Sequence, residues 1–557
     1  MSPQASQRPA DLILRGGNIY TVDRSRPWAE AVAVRGGGLV AVGSNAEVAA
    51  FGGAGTRIVD LAGRMAMPGI LDVHNHHLRA GRGDLFELTF PPTLSFERIL
   101  DLVHQQAAKT APGQWIVGGI WPSDLLGKLN SLDAKRALDA ASGGRPTMLR
   151  DDTQHNRWVN SAALEIAGIT RATPEPKDGV IVKDLATGEL VGLLYETASG
   201  LVEKAVTEAG PYSPDNDVAA AAHAVRTLNS YGITGFQDAA ASLVVLVALK
   251  QLDDRKGLTA WAVASMPAVE LPFMTGVSGE ALFAQRERYR SDRVRPDFVK
   301  IVLDGVPTAR TAAFLEPYRP DSAYGCCFRG GTMMTLPELA RWIARCEELG
   351  LGVKIHCAGD ASLRQALDAI DVVRSFNGPT KLRHHIAHAS YIDPSDIDRF
   401  KELNVVADLC PIIWFPNAIV EAIRQALPDE RALRFWPNRD LHEAGVLMAA
   451  GSDWPVIPQP DPWLGMEGMI TRRNPRGEVE GALWPEQALD LETVIEIYTI
   501  NAARAMALDA VAGSLQVGKS ADIIVLDRNL FEIAPDEIAD TRVLTTFFQG
   551  DAVFERG

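Results

Sequence analysis

Cysteine is scarce in this chain: five among 557 residues, at positions 326, 327, 346, 357 and 410. An odd, sparse set excludes a disulfide framework, and the adjacent Cys326 and Cys327 do not form a CxxC motif. A reducing cytosol is the compartment that fits. Long apolar runs are also missing. The richest, Ala241 to Leu249 (ASLVVLVAL), falls far short of the roughly 20 residues that cross a bilayer. The opening MSPQASQRPADLIL lacks a basic segment leading into an apolar core, so no secretory signal is expected. Positive charge is in the minority. The 55 basic residues face 70 acidic ones, the formal charge is −15, and no basic stripe concentrates Lys and Arg. That argues against a nucleic-acid partner, which needs clustered cations to meet phosphates. Internal repeats and low-complexity tracts are absent. What remains, 46% hydrophobic and 22% charged, is the composition of an ordinary soluble globular protein.

The chain is long enough for a (β/α)8 barrel of roughly 250 residues, an accessory domain and large loops. Both ends are rich in short β-type runs punctuated by glycine: DLILRGGNIYTVD and AVAVRGGGLVAVG near the start, ADIIVLD and VLTTFF near the finish. Neither end carries enough residues for a core of its own. The economical arrangement is one small β-sandwich built from 1–66 and 501–557, flanking a barrel over 67–500. Within the barrel, insertions are expected around 78–145 and 165–230.

Eight apolar runs are candidate barrel strands. They end at His74 and span Pro146 to Asp152, Gly232 to Asp238, Asp297 to Asp304, Leu351 to His356, Lys381 to His388, Asn404 to Leu409 and Val446 to Asp453. Helical periodicity separates most of them, over Asp215 to Tyr231, Leu336 to Leu349, Ala361 to Phe376 and Ser395 to Leu403. Strands alternating with helices imply parallel pairing, and eight of them a closed barrel. Gaps of roughly seventy and eighty residues flank the second run, and such excess length builds lids over the active face of a barrel.

The polar residues of interest fall at strand ends, where barrels place their chemistry. His74 and His76, in MPGILDVHNHH, lie two apart and share a strand face. His356, His388 and Asp453 end later runs. Imidazole and carboxylate in this number supply one or two divalent cations, zinc first among them. Two cations need a bridging anion. Lys300 shares a strand face with Asp304 and serves only if converted to a carbamate; the alternative is a plain salt-bridged lysine.

Seven segments in order strengthen this reading: PGILDVHNHH, RDDTQHNRWVNSAAL, VKIVLDG, VKIHCAGD, LRHHIAH, AAGSDWPV and GSLQVGKSADIIVLD. Together they resemble the amidohydrolase superfamily, in the branch of N-substituted formamide deformylases and YtcJ-like proteins. The resemblance covers almost the whole chain. It implies a distorted TIM barrel with a β-sandwich from both ends. It also implies metal ligation by His74, His76, His356, His388 and Asp453, with Lys300 as a carboxylated bridge. The implied activity is hydrolysis of an amide, formamide or carbamate-like C–N bond in a small molecule by a metal-activated hydroxide. Asp453 would carry the proton, and His155 or His388 would stabilise the oxyanion. Ala387 stands where the family usually has an acid, which leaves the substrate open. Ester hydrolysis, a lyase or decarboxylase reaction, or a non-catalytic barrel remain alternatives, because fold does not fix chemistry.

Around these, His155, Arg310, Trp121 and Trp454 are candidate substrate contacts, with Trp158 and Trp414 as further candidates for an apolar pocket wall. Asp72 shares a face with His74 and is either an orienting group or a structural one. His77, His384 and His385 read as structural or supporting. The expected partner is a small molecule, with a homodimer as the assembly.

Overall fold

The computed structural model describes residues 8–271, 276–322, 324–413 and 415–557; Trp414 lies outside them. Eight strands form one parallel sheet in chain order: β1 (Ile70–Asn75), β2 (Ile233–Asp238), β3 (Trp261–Pro267), β4 (Val294–Val302), β5 (Gly352–Cys357), β6 (His384–His388), β7 (Val405–Leu409) and β8 (Leu447–Ala450). Most are buried on both faces, as parallel strands under a coat of helices must be. The coat includes Pro214–Ser230, Leu243–Asp254, Leu336–Glu348 and Asp360–Asn377. The first of these starts where the sequence says it should. Ser213 accepts from the backbone N–H of Asn216, the Asn216 side chain answers the Ser213 backbone, and Pro214 takes the first helical position.

The last strand returns to the first. Asp453 N donates to His74 O at 2.7 Å and His76 N to Trp454 O at 2.8 Å. Glycine is required at 451, since a Cβ there would lie 2.5 Å from His74 N. The result is a nearly closed, distorted TIM barrel, as the strand pattern predicts.

One strand assignment is corrected. Pro146 to Asp152 is not the second barrel strand. Thr147–Asp151 pairs with Ile116–Trp121 and Arg157–Val159 in a separate five-stranded sheet, completed by Gly179–Lys183 and Leu190–Glu196. This sheet is inserted between β1 and β2 and has its own core around Ile99, Val103, Trp121, Leu138, Leu149 and Trp158. A buried apolar run ending in aspartate has the same signature in either sheet, because period reports burial and not partner. The strand passed over is β3, whose WAVASMP has no polar terminus to mark it.

Both chain ends meet in a single eight-stranded sheet. Ile523–Leu526 pairs antiparallel with Met65–Pro68, which also lies beside Leu12–Tyr20. Met65–Pro68 runs almost directly into β1, so the terminal sheet anchors the strand that carries the paired histidines. Among the described residues no helix is long and apolar enough to cross a membrane.

Candidate active site

The site is built on β1. His74 and His76 leave its C-terminal end, and the buried Asp72 fixes the backbone beneath them. Its carboxylate accepts from His74 N at 3.0 Å, Ser452 N at 3.0 Å, Ser452 Oγ at 2.6 Å and Asn75 Nδ2 at 3.1 Å. These bonds tie β1 to the loop after β8 that carries Asp453. Burial nonetheless pushes the Asp72 carboxyl up to about 6.

His74 Nε2 and His76 Nε2 lie 3.7 and 3.5 Å from Asp453 Oδ1. One ligand atom from each of His74, His76 and Asp453 lies within 4.8 Å of the others. His388 Nδ1 is 3.9 Å from Asp453 Oδ2 and 3.7 Å from Cys410 Sγ; His388, Cys410 and Asp453 form a second group of the same compactness. The His356 ring stands 4.3 Å from that of His388, with Nε2 3.2 Å from Gly305 O. All five candidate ligands therefore line one cavity with Lys300.

Two of them sit on unusual backbone. His388 has φ of 70° and Asp453 φ of 55°, a region that costs non-glycine residues energy. In β6, Ala387 pairs with His356 of β5, so regular alternation would send His388 away from the mouth. The left-handed turn at the strand end redirects it.

The electrostatics suit cation binding. Burial drives His74, His356 and His388 well below the ordinary imidazole value, which keeps them in the neutral, ligating form. Burial pushes Asp453 upward, but the His76 hydrogen bond and the field of His388 prevail and hold it below the usual carboxylate value. His74 Nδ1 and Asp408 Oδ1 face each other at 3.5 Å, both buried without a hydrogen-bond partner. Four imidazoles and a carboxylate are a nitrogen–oxygen donor set fit for one or two zinc or similar divalent ions.

Lys300 faces the cavity from β4. Among the described residues no carboxylate lies within ion-pair distance of its ammonium, so the salt-bridged alternative finds no partner. Burial first, and then Lys354, lower its pKa to about 8. Lys354, its register neighbour on β5, is placed differently. It pairs with Asp408 of β7 and donates to Val73 O at 2.7 Å.

His155 reaches the cavity from the hairpin between Thr147–Asp151 and Arg157–Val159 of the inserted sheet. Its Nδ1 is 2.7 Å from Glu196 Oε2, and Thr311 donates to Glu196 Oε1 at 2.6 Å. Burial works against the charged ring, but Glu196 outweighs it and raises the pKa.

Other candidates are engaged elsewhere. Trp121 is packed in the core of the inserted sheet, donating to Leu149 O at 3.2 Å, and does not line this cavity. Trp158 shares that core. Arg310 is 3.1 Å from Asp321 and donates to Arg319 O at 2.7 Å. Trp454 is buried beside the site and lines an adjoining recess with Arg79 and Arg150. His77 bonds Asp238, His384 bonds Glu347, and His385 lies 3.4 Å from Asp408, all as supports. Sequence reasoning missed Lys354, Asp408, Glu196 and Arg79. The first was accessible: it lies two residues before His356 and so shares its face.

A parallel barrel with imidazoles and carboxylates gathered at the C-terminal mouth defines the class of barrel hydrolases. The amidohydrolase family profile matches residues 57–554, and the chain belongs to that family. The N-substituted formamide deformylase of Arthrobacter pascens is 28% identical over 98% of this chain and 98% of its own. The putative amidohydrolase YtcJ of Bacillus subtilis is 29% identical over 98% and 99%. An uncharacterized metal-dependent hydrolase from Pyrococcus horikoshii has the same fold, with a TM-score of 0.72 at 24% identity, covering 94% of this chain and 99% of that one.

Proposed function

We propose that this protein is a metal-dependent hydrolase of a C–N bond in an amide, formamide or carbamate-like small molecule. The observation that carries this reading is the convergence of His74, His76 and Asp453 at one side of a cavity that His155 lines as well. Kinship with an N-substituted formamide deformylase supports the bond type.

His74, His76, His356, His388 and Asp453 would hold the metal, with zinc the expected ion. When bound, a divalent cation supplies Lewis acidity, acidifying a water and polarising a carbonyl. Asp453, kept ionised, accepts the proton of the attacking water and returns it to the leaving nitrogen. Glu196 fixes the ring of His155 through Nδ1 and favours its charged form, and the cationic ring would offset charge gained by the substrate oxygen. The hairpin that carries His155 also contributes Thr153 and Gln154 to the cavity wall.

Two measurements test this. Exhaustive chelation should abolish hydrolysis of a panel of N-acyl, N-formyl and carbamate compounds, and zinc should restore it. Full activity in metal-free protein would reject the reading. For Lys300, the carbamate form predicts a 13C resonance from labelled bicarbonate that is lost in Lys300→Ala. An unmodified amine in active, metal-loaded protein would exclude the bridge and leave the hydrolase reading intact.

A further inference from the structure

Arg79 is a cation in an adverse place. It lies in the first turn of α1 (His77–Phe86), where the positive end of the helix disfavours a second positive charge. Three arginines crowd this region, and two glutamates serve them. Glu87 is taken by both ends of Arg150 and by the Tyr212 hydroxyl. Glu203 accepts from Arg157 Nε at 2.7 Å and Arg150 Nε at 3.4 Å. Arg157 also donates to the carbonyls of Gln154 and Asn156. The nearby Asp151 is occupied by Thr153 and Asn156.

Arg79 receives what is left. Its nearest anion is Glu203 Oε1, at 3.7 Å from Nη2, and that nitrogen is buried without a hydrogen-bond partner. Burial, and then the fields of Arg150 and Arg157, lower the guanidinium to about 9. The side chain lines the cavity that holds His74, His76 and Asp453, three residues along the chain from His76. Part of the cavity wall is apolar, with Val306, Ile413, Ile419, Ile423, Phe435 and Val456, beside the polar Thr153, Gln154, Thr308 and Ser390. A guanidinium that lines the cavity while the carboxylates around it are committed to other arginines is a fork for a further carboxylate, and the apolar part of the wall receives a hydrocarbon chain.

Resting on the hydrolase reading above, we propose that Arg79 binds a substrate carboxylate, and that the preferred substrates are N-acyl or N-formyl amino acids with an apolar side chain. Arg79 takes the role that the sequence suggested for Arg310, whose guanidinium is already engaged by Asp321.

The test compares N-acetyl-leucine with N-isopentylacetamide, the same molecule without its carboxylate, on the zinc-loaded full chain. In wild type, kcat/KM should favour the acid by about 10- to 100-fold, the worth of charge-assisted hydrogen bonds to one anion. In Arg79→Gln the ratio should fall toward one, mostly through a higher KM for the acid, and Arg79→Lys should recover part of it. An unchanged ratio in Arg79→Gln, or no preference in wild type, overturns the proposal. If neither amide is turned over, the substrate panel decides the hydrolase reading, and calorimetry with 4-methylpentanoate decides the Arg79 proposal separately. Weaker binding to Arg79→Gln supports it, and equal binding overturns it.

Discussion

Asp453→Asn is expected to lower kcat by about 100- to 10,000-fold, the usual worth of a positioned proton carrier. Asp453 is the group that the two compact clusters share: Oδ1 faces His74 and His76, and Oδ2 faces His388. Asparagine preserves the shape and one oxygen donor, but it cannot accept a proton. Metal content must be measured with the rate, because Asp453 serves as ligand as well as base in the proposed mechanism. Full metal with low turnover isolates the proton role, whereas low metal with turnover restored by excess zinc isolates ligation. The wild-type carboxyl is held below its ordinary value, so it is ionised across the neutral range. The acid limb of kcat/KM that reports its protonation should lie below the ordinary carboxylate range and vanish in the variant. A fully metallated Asp453→Asn with wild-type rates would remove Asp453 from the chemistry.

The sequence disclosed the fold through the features that burial imposes on it. Parallel strands covered on both sides become apolar runs, and a barrel sets its polar groups at their ends. That logic located seven of the eight strands and the residues His74, His76, Lys300, His356, His388 and Asp453 that the structure places around one cavity. It failed where the same signal has two sources. Thr147–Asp151 looks like a barrel strand but pairs inside the insertion, while β3 has no polar end to announce it. Aromatic residues misled for a related reason: Trp121 is as suited to a core as to a pocket wall, and composition does not separate them. The orientation of His388 was illegible, because it depends on positive φ at a residue that is not glycine. Arg79 was invisible as well. Its unmet charge is a property of how Glu87 and Glu203 are divided among three arginines, which only the folded arrangement decides.

Lys354→Met should be the most destabilising single change near the site, by about 3–5 kcal/mol in urea unfolding. Removing one partner of a buried ion pair strands the other charge. Lys354 and Asp408 are both fully buried, and the lysine also donates to Val73 O on β1, so the pair links β5, β7 and β1 across the barrel interior. Burial alone would push the Asp408 carboxyl up, but Lys354 overrides it and holds the group well below the ordinary carboxylate value. A depressed folded pKa adds stability above the unfolded value of about 3.9, and that contribution is lost as pH falls through the folded value. The gap between wild type and variant should therefore be full at neutral pH and close only in strong acid. The double variant Lys354→Met, Asp408→Asn should recover much of the loss, since it removes the stranded charge rather than the packing. The double variant also takes the charged carboxylate away from His74, whose Nδ1 faces Asp408 at 3.5 Å, and its zinc affinity should drop by about 10- to 100-fold, as when a group orienting a histidine ligand is lost. A single variant as stable as wild type would mean that water or a neutralised Asp408 already occupies this layer. A stable double variant with unchanged zinc affinity would mean that His74 does not depend on Asp408 for its orientation.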